Sequence, residues 1–202
     1  LVLKDITNKY EIIFIDDSSS DGSWQVIENL VSSYQNVYGL RHSRNYGQHN
    51  ALLRAIREAN GEIIITLDDD LQNPPEEIPL LIGELDNGYD VVYGTPKTEQ
   101  HGIFRDLSSR MIKIALQKSM GGESGAARHV SAFRAFRTNL REAFADYNSS
   151  YVVIDVLLSW ATTSFSHVTV DHQRRQKGKS NYTLAKLLQH AVNMIAGFSV
   201  FP

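Results

Sequence analysis

The chain has 202 residues, 42% hydrophobic and 21% charged, which is enough apolar material for one globular domain with a substantial buried core. Its formal charge of −3 gives no bulk attraction to nucleic acid, so phosphate must be bound by local groups rather than by the overall field. The absence of cysteine excludes disulfides, thiolate metal sites and cysteine nucleophiles, and leaves oxygen and histidine as ligands for any metal.

The first nine residues run towards a strand without an initiator methionine and without the charged-then-apolar pattern of a signal peptide. Residues 10–15 (YEIIFI) form a β-branched, apolar run that ends in acids, the pattern of a buried parallel strand opening into a loop. A helix over 23–34 should follow. The unit then repeats, with strands at 36–40, 62–67 (EIIITL) and 89–93 and helices at 47–59 and 75–85. Alternating β and α elements predict an α/β domain with a mostly parallel sheet. Beyond Gly94 the spacing predicts a helix over 104–117, a glycine-bearing stretch at 121–125, a strand at 133–136, helices over 139–147 and 151–161, and a strand at 165–170. Residues 173–181 (QRRQKGKSN) read as a basic surface loop, and 184–198 as an amphipathic helix. No stretch reaches the roughly 18 consecutive apolar residues of a membrane span, so the chain is expected to be soluble as it stands. Its two ends give it the look of a fragment.

Three segments carry chemistry. In 67–75 (LDDDLQNPP) three adjacent carboxylates sit at the carboxyl end of a predicted strand, where open α/β sheets bind ligands. Side chains alternate along an extended chain, so Asp68 and Asp70 share one side and Gln72 follows with another oxygen. Clustered acids repel unless a divalent cation neutralises them, and Mg2+ or Mn2+ takes a few carboxylate oxygens together with substrate phosphates. Capping the helix that starts near Pro75 would need only one acid. In 14–23 (FIDDSSSDGS) the acids Asp16 and Asp17 read equally as acceptors for a ribose or base and as an ordinary strand-to-helix turn capped by Asp21 or Ser20. In 41–50 (RHSRNYGQHN) Arg44 and free amides near Gly47 can face phosphate at a helix start, while His42 and His49 read as solvent-facing or structural.

Together these segments resemble the inverting GT-A glycosyltransferases of family 2, most closely the polyisoprenyl-phosphate sugar transferases. The match is carried by IDDSSSDGS at 15–23, RNYGQHNAL at 44–52 and ITLDDDLQNPPEEIP at 65–79. It continues through Gly94, Arg105, FRAFR at 133–137, Arg175 and GKSNY at 178–182. The family's opening strand has no counterpart ahead of residue 1, Ser18 stands where the family carries glycine, and Asp69 where it carries a small residue.

The resemblance implies a metal-dependent enzyme that moves a sugar from a UDP- or GDP-linked donor to a polyprenyl phosphate. Asp16 and Asp17 would contact the nucleoside, with Arg44, Asp68 and Asp69 also on the donor side. Asp70 and Gln72 would hold Mg2+ or Mn2+ at the diphosphate. Arg105, Ser109, Arg175, Lys179 and Ser180 would bind the acceptor phosphate, with Asp68, Asp70, Arg105 and Arg175 as the catalytic set. Residues 1–182 would be the GT-A domain and 183–202 a juxtamembrane helix leading to membrane spans. That puts the enzyme on the cytoplasmic face of a membrane, with no nucleic-acid partner and with homo-oligomers left open. Asp155, in the apolar run YVVIDVLLSW, is either a base or paired to Arg134 or Arg137, and pairing is favoured. Two other readings stay open: a sister enzyme acting on a glycan hydroxyl, which needs such a base, and a non-catalytic nucleotide-sugar-binding protein.

Overall fold

The apolar run at 12–16 becomes strand β1 (Ile12–Asp16), and the amphipathic stretch after it folds as α2 (Ser23–Ser33) across the parallel pair that β1 makes with β2 (Val37–Arg41). These elements belong to a computed structural model that describes residues 2–97 and 129–173. Gly39 is required where α2 crosses β2, because a Cβ there would lie 2.7 Å from Ile27 Cγ2. The chain continues through α3 (Gln48–Glu58), β3 (Ile63–Thr66), a 3-10 turn (Pro75–Glu77) leading into α4 (Ile78–Asp86), and β4 (Val91–Pro96). The second described segment holds β5 (Arg134–Arg137), a 3-10 helix (Thr138–Phe144), α5 (Ile154–Ala161) and β6 (Phe165–Val170).

The second sheet has the order β3-β5-β4-β6. Strand β5 runs antiparallel to both β3 and β4, while β6 runs parallel to β4. Two reversals restore direction, so β3, β4 and β6 all point the same way and their carboxyl ends share one edge. The parallel sense expected of the sheet holds for these strands, and β5 is the reversed insertion. Its direction was not readable locally, since its partners lie far away in sequence.

Alternation along β4 divides the core. Val91 and Tyr93 face a cluster with Leu53, Ile56, Phe136, Ile154 and Leu157, whereas Val92 faces Ile78, Leu81, Leu85, Phe133 and Val170 on the other side. Helix α4 buries Ile78, Leu81 and Leu85 at helical spacing for this purpose.

Three local differences from the sequence reading have physical causes. A short helix, α1 (Val2–Ile6), occupies the amino-terminal stretch because Leu3 and Ile6 pack onto the α4 side of the core. The segment after β5 is 3-10 rather than α. Helix α5 starts at Ile154 rather than at 151, since the buried β-branched pair Val152 and Val153 is extended and Ile154 N–H donates to His49 Nδ1 at 3.3 Å. The helices expected over 104–117 and 184–198, and almost all of the 173–181 loop, lie outside the described residues.

Asp155 is paired. It is buried, forms an ion pair with Arg134, and accepts the Tyr93 hydroxyl at 2.9 Å. Burial pushes the Tyr93 hydroxyl well above its ordinary range, and the neighbouring Asp155 charge adds to that, so it stays protonated and donates. This triad ties α5 to β4 and β5.

Candidate active site

The acid-bearing loops leave the carboxyl ends of β1 and β3. Asp16, the last residue of β1, is buried, and its Oδ1 accepts Ser19 N–H at 3.0 Å. Arg41 Nε lies 3.1 Å from Oδ2, yet that oxygen has no aligned donor, so charge rather than a hydrogen bond compensates it. Asp17 is used differently. Its Oδ1 accepts Tyr46 N–H at 2.9 Å and His42 Nδ1 at 2.8 Å, and its Oδ2 accepts Gly47 N–H at 2.6 Å. Burial alone would raise the Asp17 carboxyl, but the Tyr46 amide, His42 and the Gly47 amide outweigh it and hold it below the ordinary 3.8. His42 is therefore structural, one of the two roles the sequence allowed.

The turn after Asp17 needs left-handed backbone, which Ser18 supplies at φ 64. Asp21 Oδ1 then accepts both the backbone N–H and the hydroxyl of Ser23 at the start of α2, although Gly22, rather than the expected Asp21 or Ser20, is the N-cap residue. Gly47, at φ 93, precedes α3. Arg44 lies over the Tyr46 ring, 4.6 Å from its centroid, which fixes the guanidinium beside the same loop.

One residue joins this loop to the acids of β3. Gln48 opens α3 next to Gly47, and its Nε2 donates to Asp68 Oδ1 at 2.7 Å. Asp17 thus fixes the helix start from which Asp68 is held. Along 68–70 exposure alternates, with Asp68 and Asp70 half-buried and Asp69 exposed, as side-chain alternation predicts. Leu71 is left-handed at φ 60 and exposed, an arrangement that costs a non-glycine residue about 1–2 kcal/mol. Its strained turn lets Gln72 N–H donate back to Asp70 Oδ1 at 3.1 Å.

The carboxyl end of β6 arrives at the same edge. Gln173 N–H donates to Gln72 O at 2.8 Å, and His172 Nε2 lies 3.1 Å from Gln72 Nε2. Lys97, just after β4, reaches Asp171 at 2.8 Å. Gln48 and His172 escaped the sequence reading because neither has a spacing partner. Their signal was positional: one follows the glycine at a helix start, and the other follows a strand whose carboxyl end faces the ligand side.

Asp68, Asp70 and Gln72 suit a hard divalent cation because all their donor atoms are oxygens. No group of three or more histidines or acids is arranged to hold a metal among the described residues. A cation held by Asp70 and Gln72 would therefore need further ligands from substrate oxygens, as Mg2+ commonly takes. A cleft of about 450 Å3 beside α3 is lined by His42, Tyr46, Arg54, Arg57 and Tyr147 but by none of these three residues. Of the other expected site residues, Arg105, Ser109, Arg175, Lys179 and Ser180 lie outside the described residues.

The chain is 35% identical over 198 residues to an undecaprenyl-phosphate 4-deoxy-4-formamido-L-arabinose transferase of Yersinia enterocolitica, and 34% identical over 198 residues to that of Yersinia pestis strain Pestoides F. Each alignment covers 98% of this chain and 60% of the relative, so the chain spans about three fifths of the curated relatives' length. Among solved structures, the glucosyl-3-phosphoglycerate synthase of Mycobacterium tuberculosis in complex with Mn2+, UDP and phosphoglyceric acid superposes with a TM-score of 0.64 at 18% identity, covering 95% of this chain and 68% of that one. A mannosyltransferase of Pyrobaculum calidifontis in complex with GDP-Man and Mn2+ gives 0.58 at 17%, covering 93% and 54%. These likenesses identify the architecture as the GT-A glycosyltransferase fold. The family model described as glycosyl transferase family 2 matches residues 2–148, and the chain belongs to that family.

Proposed function

We propose that the protein transfers a sugar from a nucleotide-sugar donor to a polyprenyl phosphate, with inversion at the anomeric carbon. The observation that carries this reading is the convergence of Asp68, Asp70 and Gln72 at the shared carboxyl edge of β3, β4 and β6, in a chain alignable almost end to end with undecaprenyl-phosphate sugar transferases. Asp70 and Gln72 would hold Mg2+ or Mn2+, and when bound the cation supplies neutralisation of the charge on the departing nucleoside diphosphate. Asp68, oriented by Gln48, faces the donor, with Asp69 beside it. Asp16 and Asp17 shape the nucleoside side, and Asp17 holds the loop that brings Arg44 towards the donor phosphates.

Arg105, Ser109, Arg175, Lys179 and Ser180 are assigned to the acceptor phosphate, for which arginine offers paired donors. A phosphomonoester is largely dianionic near neutral pH, with a second pKa of about 6, so its oxygen attacks without a strong base. Positioning and electrostatics then carry the reaction. A glycan hydroxyl would need a base, and Asp155, the residue otherwise placed for it, is buried against Arg134 and Tyr93. The acceptor lipid stays in a bilayer, which assigns 183–202 to a membrane-docking helix at the cytoplasmic face.

Asp70→Asn removes a ligand charge and little volume. It is expected to abolish transfer and weaken manganese-dependent donor binding while the circular dichroism spectrum stays unchanged. Near-normal transfer in that variant overturns the metal assignment. Arg105→Ala and Arg175→Ala should instead weaken use of the lipid acceptor far more than donor affinity.

A further inference from the structure

Gln72 is bonded in two directions. Its backbone N–H donates to Asp70 Oδ1 at 3.1 Å, while its carbonyl accepts Gln173 N–H at 2.8 Å and its side-chain Nε2 lies 3.1 Å from His172 Nε2 and 3.4 Å from Gln173 O. His172 Nδ1 is in turn 3.3 Å from Asn73 Oδ1. An amide oxygen accepts and an amide nitrogen donates, so His172 Nδ1 is the donor to Asn73 Oδ1 and His172 Nε2 the acceptor from Gln72 Nε2. These contacts orient the Gln72 amide. Its nitrogen points to the segment that follows β6, and its Oε1 accepts no hydrogen bond among the described residues.

The two ends of an amide are not independent. Drawing electron density onto the oxygen makes the N–H a stronger donor, as in any polarised hydrogen-bond chain. The segment that would feel this is already pinned at its other end, where Asp171 N–H donates to Glu77 Oε2 at 3.2 Å and Lys97 holds the Asp171 carboxylate at 2.8 Å. What remains adjustable is the Gln72–His172–Gln173 contact, and in sequence Gln173 stands two residues before Arg175.

We propose that Gln72 is a coupling residue. Engagement of its Oε1 on the donor side strengthens its Nε2 bonds to His172 and Gln173, and so fixes the segment that leads into the acceptor-binding basic residues. His172 acts here as a positioning residue and touches neither substrate. The inference rests on the metal-and-nucleotide reading of Asp70 and Gln72 given above. Because coupling between two sites is reciprocal, acceptor engagement tightens the donor side by the same factor.

The Gln173 amide is the reporter, since it donates directly to Gln72 O. Hydrogen exchange at that amide is measured with and without manganese plus UDP, and with manganese plus GDP, alongside calorimetric binding of the same probes. In the wild type the bound probe should slow exchange about fivefold or more, the lower end of ordinary intersite coupling. Gln72→Glu keeps an oxygen ligand but has no N–H to give, so whatever its affinity, probe at concentrations that saturate it should not slow exchange. His172→Ala should likewise bind the probe without slowing exchange, and should raise the acceptor KM more than it lowers kcat. Wild-type binding with no change at Gln173, or slowing that survives in both variants, overturns the coupling alone. A loss of manganese–nucleotide affinity in His172→Ala as severe as that in Asp70→Asn overturns it too, by making His172 a ligand. Failure of the wild type to bind either nucleotide in a manganese-dependent way overturns the underlying reading as well.

Discussion

Two non-glycine residues in left-handed backbone, Ser18 at φ 64 and Leu71 at φ 60, sit beside the acids of β1 and β3. The conformation costs each about 1–2 kcal/mol, against roughly 0.5–1 kcal/mol that glycine loses through a freer unfolded chain. Ser18→Gly and Leu71→Gly should therefore each stabilise the protein by about 0.5–1 kcal/mol in urea denaturation. They should part company in activity: relaxing Leu71 loosens the turn between Asp70 and Gln72 and lowers transfer, whereas Ser18→Gly leaves it near wild type. Asp17 contributes to the pH dependence of stability. Its folded carboxyl lies below 3.8, so its contribution to stability is complete above that value and disappears as pH falls through the lower folded value. In Asp17→Asn the acid limb of the stability–pH curve below 3.8 should be flatter, with the difference from wild type largest at neutral pH. An unchanged acid limb would show that the Tyr46 and Gly47 amides do not need the charge.

At the scale of elements, α5 is held by a charge pair inside the apolar core. Asp155→Ala leaves Arg134 buried without a counter-ion, at a cost of about 3–5 kcal/mol. Replacing both, as Asp155→Leu with Arg134→Met, should recover much of that loss in thermal denaturation, while kcat of the folded fraction stays near wild type in each case. A variant that folds normally but loses kcat would return Asp155 to the role of base. The acid itself was legible, since a lone carboxylate in YVVIDVLLSW needs a partner and Arg134 was a named candidate. The elements β1, β2, α2, α3, α4 and β4 were legible for the same kind of reason: hydrophobic period and strand-end acids are local signals. The alternation of Asp68 and Asp70 against Asp69 is local too. What escaped depends on residues brought together by pairing: the reversed direction of β5, Gln48 against Asp68, and His172 against Gln72. The helix expected at 139–147 is 3-10 instead, with Phe144 buried and Arg57 Nη2 donating to the Ala145 and Tyr147 carbonyls that follow it.

For the whole molecule, the proposed transfer requires the domain to meet a lipid-borne phosphate. Leu184, Leu187, Leu188, Ala191, Ile195 and Phe198 recur at helical spacing, with Lys186, Gln189, His190 and Asn193 between them. The chain should co-float with vesicles containing phosphatidylglycerol, and Leu187→Asp with Leu188→Asp should abolish flotation without changing the thermal midpoint. If removing 184–202 unfolds the protein and leaves flotation unchanged, that helix belongs to the core. The sheet order has a separate consequence, which concerns biosynthesis. Among the described residues, strands β3 and β4 share no hydrogen bonds with each other and are joined through β5, which begins at Arg134 although β4 has ended at Pro96. At about 5–20 residues per second, the ribosome delivers β5 seconds after its neighbours. The β1–α2–β2 unit can close as soon as it emerges, but β3 and β4 must wait with bare edges, and in that interval a nascent-chain chaperone has most to protect.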